Sequence, residues 1–459
     1  MIAPVVTDPR RRRRMRLSFL VGLAAGVLYV ATHDSDPAAA RLATGGAPPP
    51  EPTAPAVLPL FETGAALGAL DAAAAPRPAG WALPAAAIDP SKAAAVDGAL
   101  TQVLDDGTSV TLTLDPFLQK TAEDLLARYR VERGAIVAIR PATGEILALA
   151  EVADFAPSFR NVALQAAGPA ASIFKLVASA ALLEHASLDP DARTCTHGGQ
   201  SKLTLYNLKP NERLDTKCET FAEALGSSNN VAFARWADTL LTPVQLQAMA
   251  ERFLFNKRLP FLWPIGVSRA RVPTGSRLGF ARSAAGFEGS FASPLHLARI
   301  GSAIANEGAM MAPYLVARAT SPTGATLFEA QPTRLAQPLS AEIARRLQTM
   351  SEATMTHGTG RKYFQRQNKP RLAVRSGGKS GSLSARDDEG PTKHYSWFVA
   401  SAPLERSEIT VLALVVQGEQ WTVKGAVLAR DLLEAHFSRS GRATRSAVPE
   451  PQIKGDPLD

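Results

Sequence analysis

Metal and thiol chemistry have little to work with in this sequence. Its 459 residues include two cysteines and seven scattered histidines, with no Cys-x-x-Cys and no His-Glu-x-x-His. Those are the spacings that gather zinc ligands onto one turn or helix face, so the sequence implies no metal site and no cofactor. Aromatic residues make up 6% of the chain, and nothing after the N-terminal arginines resembles a basic face with interleaved aromatics. The formal charge of +8 therefore does not read as a nucleic-acid face. Arg10 to Arg14 and Arg16 stand against Asp8 alone and supply five of those eight charges, which makes the basicity a terminal feature. There is no internal repeat.

Long apolar runs are scarce too, but one matters. Leu17 to Thr32 carries no charge over 16 residues and is bounded by Arg16 and His33. That length falls between a signal-peptide core and a full span of about 20 residues. An uncleaved membrane anchor is expected, with cleavage after Ala38-Ala39-Ala40 as the alternative. In both cases the arginines stay cytoplasmic by the positive-inside rule, and the rest of the chain crosses the membrane. In an exported domain Cys195 and Cys218 are expected to pair, a bridge that contributes about 3 kcal/mol by loop entropy. Two unpaired thiols are the other reading.

From His33 to about Asp105 the chain is rich in alanine and proline and has little periodicity, as a tether would. Trp81 and the stretch from Ile88 to Leu104 are candidates to pack onto the domain that follows. Alternation over Ser109–Asp115 predicts a strand, and helical spacing over Phe117–Arg128 predicts a helix. Gly134–Arg140 and Glu145–Ala150, separated by the turn Pro141-Ala-Thr-Gly144, predict a hairpin. Residues 170 to about 260 are mostly helical in texture, and Glu251–Asn256 is expected within an amphipathic helix. Tyr395–Ala400 and Ile409–Val416 read as strands, followed by a helix over Val423–Phe437. This order places one sheet between chain-distant halves of a single domain. The polar, proline-containing tail is expected to be disordered. The divisions are thus 1–16 cytoplasmic, 17–32 anchor, 33–105 tether, 106–437 folded domain and 438–459 tail.

Three short motifs occur in one order: Ser172-Ile-Phe-Lys175, Ser228-Asn-Asn230 and Lys379-Ser-Gly-Ser382. A serine hydroxyl is a weak nucleophile until a base takes its proton, and a lysine is a weak base until its pKa falls from about 10.4. Ser172 follows a loop and opens an apolar helical run, so Lys175 lies on its face of the helix at i+3. Burial, and Lys379 as a second cation, would depress the Lys175 pKa. Ser228 and Asn230 would orient that lysine and relay its proton.

Together these motifs resemble the serine active site of penicillin-binding proteins and serine β-lactamases. Val110–Gln119, Gly134–Ala150, His357-Gly-Thr-Gly360 and Trp397–Pro403 are similar to further stretches of the transpeptidase domain. The resemblance spans about 106–437. It implies an α/β chain of α+β arrangement, with a mainly antiparallel sheet flanked by helices and a helical subdomain, behind one N-terminal transmembrane helix. It also implies acyl transfer from peptidoglycan stem peptides through Ser172. Lys379, Ser380 and Gly381 would contribute to the substrate site, and the N–H groups of Ser172 and Ser382 would form an oxyanion hole. The expected partners are stem peptides, β-lactams as covalent inhibitors, the inner membrane, and a glycosyltransferase or cell-wall synthesis complex that shapes the cell.

The sequence departs from the family pattern in two places. Lys-Ser-Gly stands for the commoner Lys-Thr-Gly, and Ala170-Ala171 for the frequent Pro-Gly before the serine. A class A β-lactamase would need a Glu-x-x-Leu-Asn loop, which Glu251–Asn256 misses by one residue. A class D enzyme would be expected to have valine at Asn230. A D,D-carboxypeptidase, and a non-catalytic penicillin sensor or divisome scaffold, are the remaining alternatives.

Overall fold

In the computed structural model, residues 85–439 are described, apart from 155, 158–161, 167, 200–201, 387–391 and 419–421. The expected anchor at 17–32, most of the tether and the tail from 440 lie outside these residues. Among the described residues no helix is long and apolar enough to cross a membrane.

The elements that position the site are α1 (Pro116–Arg128), β1 (Arg133–Ile139), β2 (Ile146–Ala153), α2 (Lys175–His185), α3 (Phe221–Ser227) and α4 (Asn230–Leu240). They continue with α5 (Pro294–Ala305), α6 (Ala341–Thr356), β3 (Gly377–Arg386), β4 (Thr392–Ala402), β5 (Ile409–Gln417) and α7 (Gly425–Arg439). The central sheet runs β3-β4-β5-β1-β2, with the short strand Ala156–Pro157 at its far edge. Every neighbour in it is antiparallel. Pairing of β5 with β1, Val416 opposite Arg133 through Thr410 opposite Ile139, joins chain-distant halves as the element order predicts.

β5 is apolar at nearly every position because both faces of the sheet are covered. Leu412, Leu414 and Val416 enter one core, with Ala135, Val137 and Ile139 of β1. Val411, Ala413 and Val415 enter the other, with Ile136 and Ala138. This is the two-residue period of a strand. Each fully buried Val or Leu contributes about 1.5–3 kcal/mol of apolar burial. Leu118, Leu125 and Leu126 of α1 and Leu428, Leu432 and Phe437 of α7 cover one face. The buried helices α2 and α5 cover the other.

Several boundaries differ from the sequence expectation. Ala94–Val96 and Ala99–Val103, placed by sequence in the tether, are strands leading into Ser109–Leu112. A second, five-stranded sheet is completed by Val316–Thr320 and Thr326–Glu329. Ile88 is fully buried, so this segment packs on the domain. The expected helix at Glu251–Asn256 is corrected: the helix Pro243–Arg252 ends there, and Leu254 and Asn256 take positive φ. Between the helices, Arg193–Thr196 and Lys217–Thr220 form an antiparallel pair that sets Cys195 opposite Cys218, and the two are disulfide-bonded.

Candidate active site

Ser172 sits on a single 3-10 turn, Ala171–Phe174, which runs directly into α2. The strand before it is held by Trp397 Nε1, which donates to the Pro169 carbonyl at 2.9 Å. Ala171 takes φ 50°, a left-handed conformation that costs an L residue about 1–2 kcal/mol. Gly286 is packed against it, since a Cβ there would stand 2.4 Å from the Ala171 carbonyl oxygen. The turn aims Ser172 outward, half-buried, while Ile173, Phe174 and Lys175 are enclosed.

Lys175 is completely buried. Its Nζ lies 2.8 Å from Ser172 Oγ, 2.7 Å from Asn230 Oδ1 and 2.6 Å from the Ala285 carbonyl oxygen. Its Nζ also lies 5.6 Å from the centre of the Phe233 ring. Burial first, and the Lys379 charge second, hold its pKa well below that of an ordinary lysine. A neutral lysine keeps two N–H donors and gains one lone pair. Asn230 and Ala285 can take the two donors, which leaves the lone pair facing the Ser172 hydroxyl. The arrangement therefore fits a base as well as it fits a cation.

Asn229 and Asn230 divide the work of the second motif. Asn229 caps α4 by accepting from the Ala232 N–H at 3.1 Å, and its amide donates to Thr196 Oγ1 and Glu219 Oε2 of the disulfide-bridged pair. Asn230 can therefore be the first helical residue, with its oxygen on Lys175 and its amide nitrogen 3.2 Å from the Gly199 carbonyl. Ser228 ends α3 in a left-handed conformation with φ 60°. Among the described residues its hydroxyl makes no hydrogen bond, so the expected contact with Lys175 is absent from this arrangement.

The third motif lies on β3, where Lys379, Gly381 and Ser382 pair with Val399, Trp397 and Ser396. Lys379 is fully buried, and burial brings its pKa down to about 7. Its Nζ donates to the Ser380 carbonyl at 2.9 Å. Gly381 brings β3 against the Ser172 turn, because a Cβ would meet Ile173 Cγ1 at 3.1 Å and the Ile173 nitrogen at 3.3 Å. Ser380 is half-buried and Ser382 exposed. Within the described residues no cluster of His, Cys, Asp and Glu could hold a metal ion.

The fold thus gathers Ser172, Lys175 and Asn230 by direct hydrogen bonds and brings Lys379, Ser380 and Gly381 alongside. Three participants escaped the sequence reading. They are the Ala285 carbonyl, Gly286 beneath the turn, and Thr359, whose hydroxyl lies 2.6 Å from Ser380 Oγ. Only Thr359 left a trace, within the stretch His357-Gly-Thr-Gly360.

A family model described as the penicillin binding protein transpeptidase domain matches residues 134–434. The peptidoglycan D,D-transpeptidase PbpA of Mycolicibacterium smegmatis is 25% identical over 373 residues, covering 74% of this chain and 72% of that protein. Among solved structures, the D,D-transpeptidase domain of a peptidoglycan glycosyltransferase from Eggerthella lenta is 27% identical, with a TM-score of 0.60, over 76% of this chain and 89% of that one. PBPA from Mycobacterium tuberculosis shares the fold at 22% identity and a TM-score of 0.58, over 72% of this chain and 82% of that one.

Proposed function

Because the chain belongs to the penicillin-binding protein transpeptidase family, we infer that it cross-links peptidoglycan stem peptides by acyl transfer through Ser172. The observation that carries this reading is the buried Lys175, its Nζ 2.8 Å from Ser172 Oγ and its pKa depressed. The names of the relatives, peptidoglycan D,D-transpeptidases, agree with it.

Neutral Lys175 takes the hydroxyl proton as Ser172 Oγ attacks the carbonyl carbon of the penultimate D-alanine. The tetrahedral oxyanion is met by the N–H groups of Ser172 and Ser382, and losing one such donor costs roughly 3 kcal/mol of transition-state stabilisation. The amide C–N bond then breaks, and the terminal D-alanine leaves as an amine carrying the proton from Lys175. An acceptor amine attacks the resulting ester, gives a proton to Lys175, and forms the new amide as Ser172 is released and reprotonated. Lys379 and Ser380 provide the positive field and hydroxyl that favour the donor's terminal carboxylate. A β-lactam enters the same first step, and its ring opens to leave a stable acyl-enzyme.

The stretch 17–32 would anchor this domain to the outer side of the cytoplasmic membrane, through the tether ending before Ala85 and beside a glycosyltransferase or cell-wall synthesis complex. Resistance of the full chain to alkaline extraction from membranes checks the anchor.

The decisive test is acylation by a fluorescent penicillin. Wild type should label stoichiometrically, Ser172→Ala not at all, and Lys175→Ala at least ~100-fold more slowly, as for loss of a general base. Labelling that persists in Ser172→Ala would overturn the nucleophile. Product analysis on stem peptides with and without an amine acceptor then separates cross-linking from trimming by water, and rapid release of the drug would mark a β-lactamase.

A further inference from the structure

Ser380 on β3 and Gly226 in the last turn of α3 stand on different elements, yet one side chain touches both. Thr359 Oγ1 lies 2.6 Å from Ser380 Oγ and 3.3 Å from the Gly226 carbonyl oxygen, and the Thr359 N–H donates to the same carbonyl at 3.0 Å. Gly226 is two residues before Ser228, in the last turn of α3. The crossing is tight: a Cβ on Gly358 would stand 2.1 Å from the Gly226 oxygen, and one on Gly226 would stand 2.7 Å from the Ala353 backbone. Thr359 is therefore set by backbone against backbone, although its own side chain is exposed.

We propose that Thr359 is a positioning residue for the donor carboxylate, acting as a two-state hydroxyl that decides whether Ser380 presents a proton or a lone pair to the cleft. This rests on the reading of Ser380 as a carboxylate-binding group. A threonine hydroxyl has one proton and can accept as well. When Thr359 gives that proton to the Gly226 carbonyl, the 2.6 Å contact requires Ser380 to donate to Thr359, and Ser380 then turns its lone pairs towards an incoming anion. When Thr359 donates to Ser380 instead, the Ser380 proton is free for the carboxylate. The bond given up is the longer one, at 3.3 Å, and the Gly226 carbonyl keeps the Thr359 N–H. Switching thus leaves no acceptor unsatisfied. A carboxylate in place favours the second state, because a hydrogen bond to an ion is roughly twice as strong as a neutral one.

The experiment measures acylation of the full chain by one β-lactam as its free acid and as its methyl ester, separating the apparent binding constant from the acylation rate. For Thr359→Val, which keeps the shape and the N–H but not the hydroxyl, the free acid should lose roughly tenfold in apparent binding while the ester changes little. Thr359→Ser should restore the acid-to-ester ratio, and Thr359→Val added to Ser380→Ala should cost no more than Ser380→Ala alone. Equal losses for acid and ester, failure of serine to rescue, or additive losses in the double variant would each overturn the proposal. If Ser380→Ala itself leaves the ratio unchanged, the carboxylate role of Ser380 falls, and the Thr359 relay falls with it. Labelling at Ser172 in every variant shows that the acyl-enzyme reading stands apart from both.

Discussion

Ala171 holds a left-handed conformation directly against Gly286, whose missing side chain leaves room for the Ala171 carbonyl. The residue after Ala171 is Ser172, the proposed nucleophile, and the residue before Gly286 supplies the carbonyl that receives Lys175. One backbone contact therefore supports both Ser172 and Lys175. Ala171→Gly should raise the unfolding free energy by about 0.5–1 kcal/mol without slowing acylation, since glycine takes φ 50° free of strain. Gly286→Ala should cost about 1–3 kcal/mol and slow acylation, because both backbones must shift. Chemical denaturation and penicillin labelling measure the two effects separately. A Gly286→Ala variant with wild-type labelling rate would dissociate the contact from catalysis.

Removing the Lys379 charge should move the pH dependence of acylation. Lys175 must be neutral to take the Ser172 proton, and both its burial and Lys379 lower its pKa. In Lys379→Met the second influence is lost, so the Lys175 pKa rises and the acidic limb of the rate profile moves to higher pH. Absolute rates will fall as well, so the position of the limb is the quantity to read. A limb that stays in place would mean that the two lysines do not communicate.

Asp215 should matter for stability out of proportion to its distance from the chemistry. Burial alone would raise its pKa, but the Arg235 guanidinium, the Asn211 N–H and His197 together hold the carboxyl well below its usual range. Arg235 in turn donates to the carbonyls of Cys195, Asn207 and Lys209. Asp215→Ala strands a buried cation and should cost about 3–5 kcal/mol. A depressed carboxyl pKa contributes stability that is complete above the unfolded value near 3.9 and is lost as pH falls below it. Acid unfolding midpoints of the variant should therefore depend less on pH in that range, and an unchanged slope would remove Asp215 from the account.

His296 points to a second acid-sensitive interval. Its ring is fully buried on α5 with Nε2 2.7 Å from the Phe253 carbonyl, and burial, then the neighbouring Arg299, lower its pKa to about 3. Between that value and the unfolded value near 6.5 the unfolded chain takes up a proton that the folded chain refuses. Stability should decline as pH drops from about 6.5. His296→Phe should flatten urea midpoints between pH 7 and 5, whatever its effect at pH 7, and equal slopes in both proteins would contradict this origin.

Much of the site was legible because its chemistry is written in residue types at fixed spacings. Ser172 and Lys175 share a face by i+3 geometry, and the apolar run of β5 announces a strand covered on both sides. The Cys195–Cys218 bridge was expected from the sequence and is formed, but the strand pair that carries it was not legible, since Arg193–Thr196 and Lys217–Thr220 are short and polar and are held by Arg235 and Asn229 behind them. Nor were the strands Ala94–Val96 and Ala99–Val103, whose alanines carry little pattern until the two pair with each other and Thr101–Val103 lies beside Ser109–Thr111.

The sequence by itself determined which groups are present and in what order: a serine and lysine at the head of an apolar helix, two polar motifs downstream, and a basic apolar segment at the N-terminus. Only the tertiary structure decided that Lys175 and Lys379 are both sealed from water, and it is desolvation that makes a lysine a base. The structure alone also chose the Ala285 carbonyl, Gly286 and Thr359 as supports, because a carbonyl oxygen has no residue type and a close approach exists only between segments that the fold brings together.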